Sequence, residues 1–384
     1  MNFDFTDDQL SLRDAVARWA EKAFSFERRH ALAKAGGRSR AVYQELADLG
    51  LTGLTWPVEH DGLGLGSVEA MVVMEELGRA LVNAPYAAAA LVAPALMQEA
   101  PAHIQTQWAP KMASGQTLVV WAHQEPGARY RLHQVSTQAA AAPASSSGSP
   151  HSHLLTGIKS VVPAGDEADA FLIAARLSGA PNDRSGIGLF LIEKGAPGLQ
   201  VRGYPTQDGA RAAEVTLSHT PAVLLMSEAL EAMERAADVG IAALCAEAVG
   251  LMDQLVHITA EYLNTRKQFG VPIASFQALR HRMADVKMQL ELARSMSYYA
   301  SLKLGEPAAS RRRALSQAKV QLGRSMRQVG QECIQMHGGI GVTDEYVASH
   351  YFKRLTMLEM AWGDTMHHLG EVSERMRETA GVFA

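Results

Sequence analysis

The spacing of apolar and polar positions changes twice along the chain. FTDDQLSLRDAVARWAEKAF repeats its apolar residues at helical spacing behind Thr6, a candidate N-cap followed by acidic residues. VYQELADLG reads as a helix, and LTGLTWPVEHDGLGLGS after it as a loop rich in turn residues. SVEAMVVMEELGRALVNAP is a strong helix stopped by Asn83 and Pro85, and LVAPALMQEA is another. Ala and Leu dominate this stretch, which favours helix. Between residues 113 and 225 the texture changes. TLVVWAHQEP, HLLTGIKSVVP, ADAFLIAARL, GIGLFLIEK, GLQVRGYP and AEVTLSHTPAVLL are short β-branched runs punctuated by Gly, Pro and Asp. That pattern predicts a small antiparallel barrel or sandwich. QAAAAPASSSGSPHSH, between the first two runs, is Ser- and Pro-rich and is expected to be an exposed, flexible connection.

Helical periodicity then returns. LEAMERAADVGIAALCAEAVGLMDQLVHITAEYLNTRKQ is one long amphipathic segment, FQALRHRMADVKMQLELARSMSYYASLKLG a second and RRALSQAKVQLGRSMRQVGQECIQMHGG a third. VASHYFKRLTMLEMAWGDTMHHLGEVSERMRE closes the chain. Helices this long pack as a bundle with short turns. The predicted fold class is therefore α+β, mainly α. It comprises an N-terminal helical domain (residues 1–112), a central antiparallel β-barrel or sandwich domain (113–225) and a C-terminal four-helix bundle (226–384).

Composition narrows the function classes. The 384 residues are 47% hydrophobic and 20% charged, an ordinary globular balance. A net charge of -4 leaves no basic footprint for nucleic acid. No uninterrupted apolar run approaches the roughly 20 residues of a membrane span. The N-terminus, MNFDFTDDQLSLRD, has neither the basic start nor the apolar block of a signal peptide. Cys245 and Cys333 lie far apart in helix-like contexts, as buried free thiols of a cytoplasmic protein would. Cys333 and His337 are spaced like helix-face ligands, but no second such pair exists, and no metal is expected.

Two corners carry candidate chemistry. In YLNTRKQFGVPIASFQ a helix is expected to end at Gly270, with a new one from Phe276. Arg266 before that break offers a planar cation suited to a pyrophosphate. Gln268 and Gln277 add amide donors, and Phe269 adds an aromatic face. In QMHGGIGV, Gly338, Gly339 and Gly341 allow a backbone to approach a ligand closely, beside Gln335 and His337. Taken singly, each corner reads equally as a capped helix end with surface charge.

Together, TRKQFGVPIASFQ and QMHGGIGV in this order resemble the acyl-CoA dehydrogenase family of flavoproteins. The resemblance extends over DGLGLGSVEAMVVMEELGRA, EPGARY and LTGIKSVVPAGDEAD, essentially the whole chain. AHQEPGARY, QDGARAAEV and GDTMHHL resemble more closely the small-subunit type of pimeloyl-CoA dehydrogenase. The resemblance implies FAD as cofactor, held between the β-domain and the C-terminal bundle, and α,β-desaturation of an acyl-CoA thioester. It also implies assembly as a homo- or heterotetramer and electron transfer to an electron-transfer flavoprotein. By motif match, Arg266, Gln268 and Phe269 would contact the FAD of a neighbouring subunit, as would Gln335, Gly338 and Gly339.

The chain departs from the family pattern where the base belongs. In many members a Glu precedes a Gly in the C-terminal bundle, and here that place holds Trp362 before Gly363. In others the base lies on the helix before the Arg266 motif, and that place holds Gly240. Three carboxylates remain. Glu247 is seven residues, about two turns, beyond Gly240 among apolar neighbours, where burial would raise its pKa. Asp364 follows Trp362 by two residues and reads alternatively as a cap or as a partner of His367 or His368, and Asp238 is the third. In the strand that follows the GIK motif, Val161 and Pro163 stand where many members have an aromatic and a hydroxyl residue near the flavin. These departures suggest one member of a heteromeric pair whose base comes from the other chain. The alternatives are a self-sufficient dehydrogenase using Glu247 or Asp364, a flavin monooxygenase on the same fold, and a non-catalytic partner subunit.

Overall fold

The computed structural model describes residues 4–142 and 152–379, with the side chains of 377–379 left out. In chain order the helices α1 (Asp7–Ala23), α2 (Phe26–Lys34), α3 (Arg40–Asp48), α4 (Ser67–Arg79), α5 (Ala93–Met97) and α6 (Ala102–Ala113) come first. Strands β1 (Val119–Ala122), β2 (Gln138–Ala141), β3 (His153–Pro163), β4 (Ala170–Arg176), β5 (Ile187–Glu193), β6 (Leu199–Pro205) and β7 (Arg211–Met226) follow. Then come α7 (Leu230–Thr265), the short strands β8 (Lys267–Gln268) and β9 (Val271–Pro272), α8 (Gln277–Lys303), α9 (Ala308–His337), α10 (Val347–Met360) and α11 (Thr365–Thr379). The chain packs as two units: Met1–His30, Ser67–Val82 and Ile241–Ala384 form one, and Ala31–Gly66 with Asn83–Gly240 form the other.

The first unit is a helical bundle. Thr6 caps α1 as the sequence suggests, its hydroxyl accepting from the Gln9 amide while the Gln9 side chain accepts from the Thr6 amide. The core is the meeting of the apolar faces of α7, α8, α9 and α10, with Leu251, Leu255, Leu290, Leu322, Val329 and Leu355 all buried. One window of α7 is long and apolar enough to cross a membrane, but 83% of it is buried, which marks a core helix. A charged cluster ties α4 to its neighbours: Arg79 and Glu75 on α4 meet Asp253 on α7 and Arg294 on α8.

In the second unit β3 pairs with β2 and β7, β7 with β5 and β6, and β5 with β4, all antiparallel. The sheet is mixed, correcting the purely antiparallel expectation. β1 runs parallel to β4 (Val119↔Ala170 through Ala122↔Ile173), and β2 meets β4 in parallel at Gln138↔Arg176. β4 is buried at every position and β5 at all but its last, which explains their unbroken apolar runs.

Three boundaries differ from the sequence reading. Gln138–Ala141, expected within a flexible connection, is a strand paired with β3, and residues 143–151 lie outside the described residues. The long helix stops at Thr265 rather than Gly270 because a hairpin intervenes. Phe269 (φ 53°) and Gly270 (φ 80°) are both left-handed, the pair a tight two-residue turn requires. The closing segment is two helices, broken at residues 361–364 by Trp362 (φ 59°) and Gly363 (φ 113°).

Candidate active site

The corners built from Arg266 and Gly338 lie in the bundle unit and meet at one end of it. Tyr262, on the last turn of α7, sits 4.7 Å ring to ring from His337, the last residue of α9. His337 donates from Nδ1 to the Cys333 carbonyl at 2.8 Å, which directs Nε2 to the Tyr346 hydroxyl at 3.2 Å. The imidazole is thus built into the helix end, and the Cys333–His337 spacing is a helix-internal hydrogen bond. Arg266 follows one turn after Tyr262, donating its amide to the Tyr262 carbonyl and accepting from Ile273. Arg266, Gln268, Gln277, Gln335, Gly338 and Gly339 are all exposed, and Phe269, on the hairpin tip, is 91% exposed. Gly338 has φ 65°, and a Cβ on Gly338 or Gly339 would meet nothing within 4 Å. A guanidinium, several amides and an open glycine backbone on one bundle end suit an anionic ligand such as the pyrophosphate of FAD.

Glu247 is 4% exposed, but it is not the unpaired carboxylate its neighbours suggested. Arg354 on α10 grips it with two bonds, Nε to Oε1 at 2.5 Å and Nη2 to Oε2 at 2.9 Å. A carboxylate held this way has both oxygens committed to a cation. The sequence reading missed Arg354 because that residue lies 107 positions away. Asp238 is buried on α7, within the other unit.

Asp364 caps α11, its Oδ1 accepting from the His367 amide at 2.8 Å. Around it the turn at 361–364 is fixed by Lys319, which the sequence reading passed over, and by His368, which it offered only as a partner of Asp364. Lys319 on α9 is fully buried and donates to the carbonyls of Leu358 (3.0 Å), Glu359 (2.7 Å) and Gly363 (2.8 Å). His368 donates from Nε2 to the Trp362 carbonyl at 3.0 Å, which leaves Nδ1 to accept from Ser316 at 3.2 Å. A lysine between Ala318 and Leu322, both apolar, was the available signal.

Burial holds several imidazoles neutral, and this makes the fold acid-sensitive. Burial, helped by the Lys319 charge, lowers His368 to about 3. His123 in the other unit is also lowered to about 3, by burial and Lys159. Each is a depressed base, so between about pH 6.5 and 3 only the unfolded chain takes the proton. Stability is therefore complete above pH 6.5 and lost as pH falls, by up to about 1.4 kcal/mol per pH unit for each group. Calorimetric unfolding midpoints should fall steadily from pH 7 to pH 5, and His368→Gln should make that fall shallower.

Among the described residues His30, Asp344 and His350 bring three potential metal ligands together. Two cations already serve them: Arg29 donates to His350 Nδ1 at 2.7 Å, and Lys353 lies 3.0 Å from Asp344. The cluster is an ion-pair network.

In the β unit, Glu125 of the EPGARY motif is buried. It accepts from Lys159 Nζ (2.5 Å), the Thr137 hydroxyl (2.7 Å) and the amides of Ser136 and Thr137. This ties β3 to the loop after β1. Just beyond, Val161 is exposed with φ 53°, a left-handed conformation rare for a β-branched residue, at a register shift between β3 and β7. Glu214 braces that kink, accepting from the hydroxyls of Ser160 (2.8 Å) and Tyr204 (3.1 Å). Backbone strain of this kind collects at functional sites.

Comparison with known proteins bears on the family. The model of the acyl-CoA dehydrogenase N-terminal domain matches residues 6–116, and that of the C-terminal domain matches residues 230–377. Acyl-CoA dehydrogenase FadE27 of Mycobacterium tuberculosis is 25% identical, covering 99% of this chain and 100% of that protein. The solved Tcur3481-Tcur3483 steroid ACAD variant superposes with a TM-score of 0.85 at 27% identity, over 98% of this chain and 99% of that one. The ChsE4-ChsE5 complex from Mycobacterium tuberculosis gives 0.84 at 25% identity, over 99% of this chain and 100% of that one. The chain belongs to the acyl-CoA dehydrogenase family, FAD-dependent oxidoreductases that act on the CH–CH group.

Proposed function

We propose that this chain is one subunit of a heteromeric acyl-CoA dehydrogenase, and that it helps to bind FAD while its partner supplies the base. The observation that carries this reading is the state of its carboxylates. The two places where the family sets a base hold Trp362 and Gly240. Glu247 is clamped by Arg354, and Asp364 caps α11. In the bundle unit Arg266, Gln268, Phe269, Gln277, Gln335, Gly338 and Gly339 are open to solvent. When bound, FAD accepts the hydride that leaves the acyl β-carbon. Arg266 would neutralise its pyrophosphate, the amides of Gln268, Gln277 and Gln335 would orient it, and the Gly338–Gly339 backbone would approach it.

The acyl group is of the bulky kind: dicarboxylyl, alicyclic or larger. The likeness to the small-subunit type of pimeloyl-CoA dehydrogenase and to a steroid ACAD supports that class. The ChsE4-ChsE5 likeness supports two different chains, and electrons would pass on to an electron-transfer flavoprotein. The test is flavin content and bleaching of the purified chain, alone and co-expressed with an acyl-CoA dehydrogenase encoded beside it. The expected result is no bleaching by any acyl-CoA for the lone chain and full bleaching for the complex. Bleaching of the lone chain would overturn the reading.

A further inference from the structure

A cavity of about 440 Å³ opens in the bundle unit between α8, α9 and the start of α11. Its size falls within the range of small-molecule sites, about 300–1,000 Å³. Gln321, Arg324, Gln328 and Gln331 stand at i, i+3, i+7 and i+10 on α9, so one face of that helix forms the long wall. Gln289 and Leu292 of α8 form a second wall. Gly323 lets α11 close one end, since a Cβ there would lie 2.1 Å from Thr365 Oγ1. Neither Gln335 nor Gly338 lines the cavity, so it is separate from the corner assigned to FAD.

The walls carry more donors than the fold uses. Arg324 is exposed and has no hydrogen-bond or ion-pair partner among the described residues. Arg327, one turn further on the same helix, has Glu359 at 3.6 Å, beyond a hydrogen bond. Glu359 Oε1 already accepts from the Thr365 amide (3.1 Å) and hydroxyl (2.7 Å). Two like charges one helical turn apart repel, and an anion between them would relieve that. The Gln289 amide is also oriented. Its Oε1 accepts from Gln321 Nε2 at 3.3 Å and from the buried Ser325 hydroxyl at 3.1 Å, which leaves its NH2 group to donate at the cavity wall. Glu332, paired with Arg282 at 3.2 Å, sets an acceptor at the other end. It lies eight residues beyond Arg324, about 12 Å along the helix. Among the described residues that line the cavity, Leu292 is the only large apolar side chain and none is aromatic, so nothing there would stack on a flat ring. Arg and Gln at these spacings also suit a plainly solvated helix face. Such a face lacks the enclosed volume and the oriented Gln289 amide.

We propose that this cavity binds a small hydroxylated oxyanion, a phosphate ester or a carboxylate. Its charged group lies at Arg324 and Arg327, whose planar guanidinium groups match paired anionic oxygens. Its hydroxyls reach Gln289, Gln331 and Glu332. The site is independent of the acyl-CoA chemistry and of which subunit supplies the base.

Titration calorimetry tests this on the FAD-loaded complex, formed by co-expression with the acyl-CoA dehydrogenase encoded beside it, and on the lone chain. The probes are glycerol 3-phosphate, citrate and inorganic phosphate. The expected result is saturable binding of glycerol 3-phosphate or citrate to both preparations, with a dissociation constant below about 1 mM. Saturation by the first alone identifies a phosphate ester, and by the second alone a carboxylate. Arg324→Gln should weaken binding at least about tenfold, the loss expected for one charged hydrogen-bond donor. Gln331→Trp, which fills the cavity without changing its charge, should do the same. Arg313→Gln, at an exposed position of α9 outside the cavity, should leave the affinity unchanged. Flavin content should be equal in all the variants. Failure of both organic probes to saturate would overturn the proposal, as would binding untouched by Arg324→Gln and Gln331→Trp. Inorganic phosphate binding as tightly as both organic probes would overturn the hydroxylated ligand. Binding by the lone chain that disappears in the loaded complex would overturn it too, since the cavity would then belong to the flavin or to the partner.

Discussion

Glu247→Gln should lower the stability of the bundle by about 3–5 kcal/mol, the usual loss when one partner of a buried ion pair is removed. It should do so whether or not acyl-CoA is present. Glu247 is almost wholly buried, and both its oxygens accept from Arg354. Removing the carboxylate charge leaves a guanidinium, itself about one-fifth exposed, without its counter-ion. Arg354→Met should be similarly damaging, because it strands the carboxylate instead. Glu247→Leu combined with Arg354→Met should recover most of the loss, since replacing both partners by apolar groups of similar volume is often close to neutral. Calorimetry on the four proteins gives the coupling directly. The same variants separate two roles. A structural pair loses stability in each single variant and regains it in the double one. A catalytic Glu247 would instead show intact stability in Glu247→Gln with loss of bleaching, and would gain nothing from the second substitution.

The sequence announced the helices of the bundle because each carries an apolar stripe at helical period over many turns, as α7, α8 and α9 do. It also announced the exposed corners, since Arg266 and Gly338 sit at helix ends marked by Gly and Pro. What it could not announce were contacts set by tertiary approach. Arg354 neutralises Glu247 across 107 residues, and no local pattern encodes that pairing. Lys319 drew no reading from the sequence, and the arrival of three carbonyls at its ammonium is what explains its burial. The β8–β9 hairpin was hidden because Phe269, and not the usual Asn or Asp, takes the first left-handed place before Gly270. The strand β2 was hidden because Ala-rich QAAA has little intrinsic strand preference and is held by pairing with β3. By contrast, that Trp362 offers no proton acceptor was readable from one letter, wherever the fold puts it.

Gly250→Ala should be the most damaging single-methyl change in the bundle, at the upper end of the roughly 1–3 kcal/mol typical of overpacking or beyond it. Gly250 on α7 and Gly78 on α4 face each other's helix. A Cβ on Gly250 would lie 1.8 Å from the Glu75 carbonyl oxygen and 2.7 Å from the Arg79 amide nitrogen. A Cβ on Gly78 would lie 2.2 Å from the Glu247 carbonyl oxygen. These neighbours are backbone atoms of helices and cannot rotate away as a flexible side chain can, so the helices themselves would have to separate. Separation would reach further than one contact. Glu75 and Arg79 carry the ion pairs to Asp253 and Arg294, and the Arg79 carbonyl accepts from the buried Tyr351 hydroxyl on α10 at 2.6 Å. Moving α4 outward would stretch this whole set while opening space beside Leu81 and Leu251. Helix propensity works in the opposite direction, since Ala is favoured over Gly in a helix interior by up to about 1 kcal/mol. A stability loss in Gly250→Ala therefore measures the steric term net of that gain. If the unfolding midpoint of Gly250→Ala matched or exceeded that of the wild type, the close crossing of α4 and α7 would be refuted. Gly305→Ala, where a Cβ meets nothing within 4 Å, provides the control in which little should change.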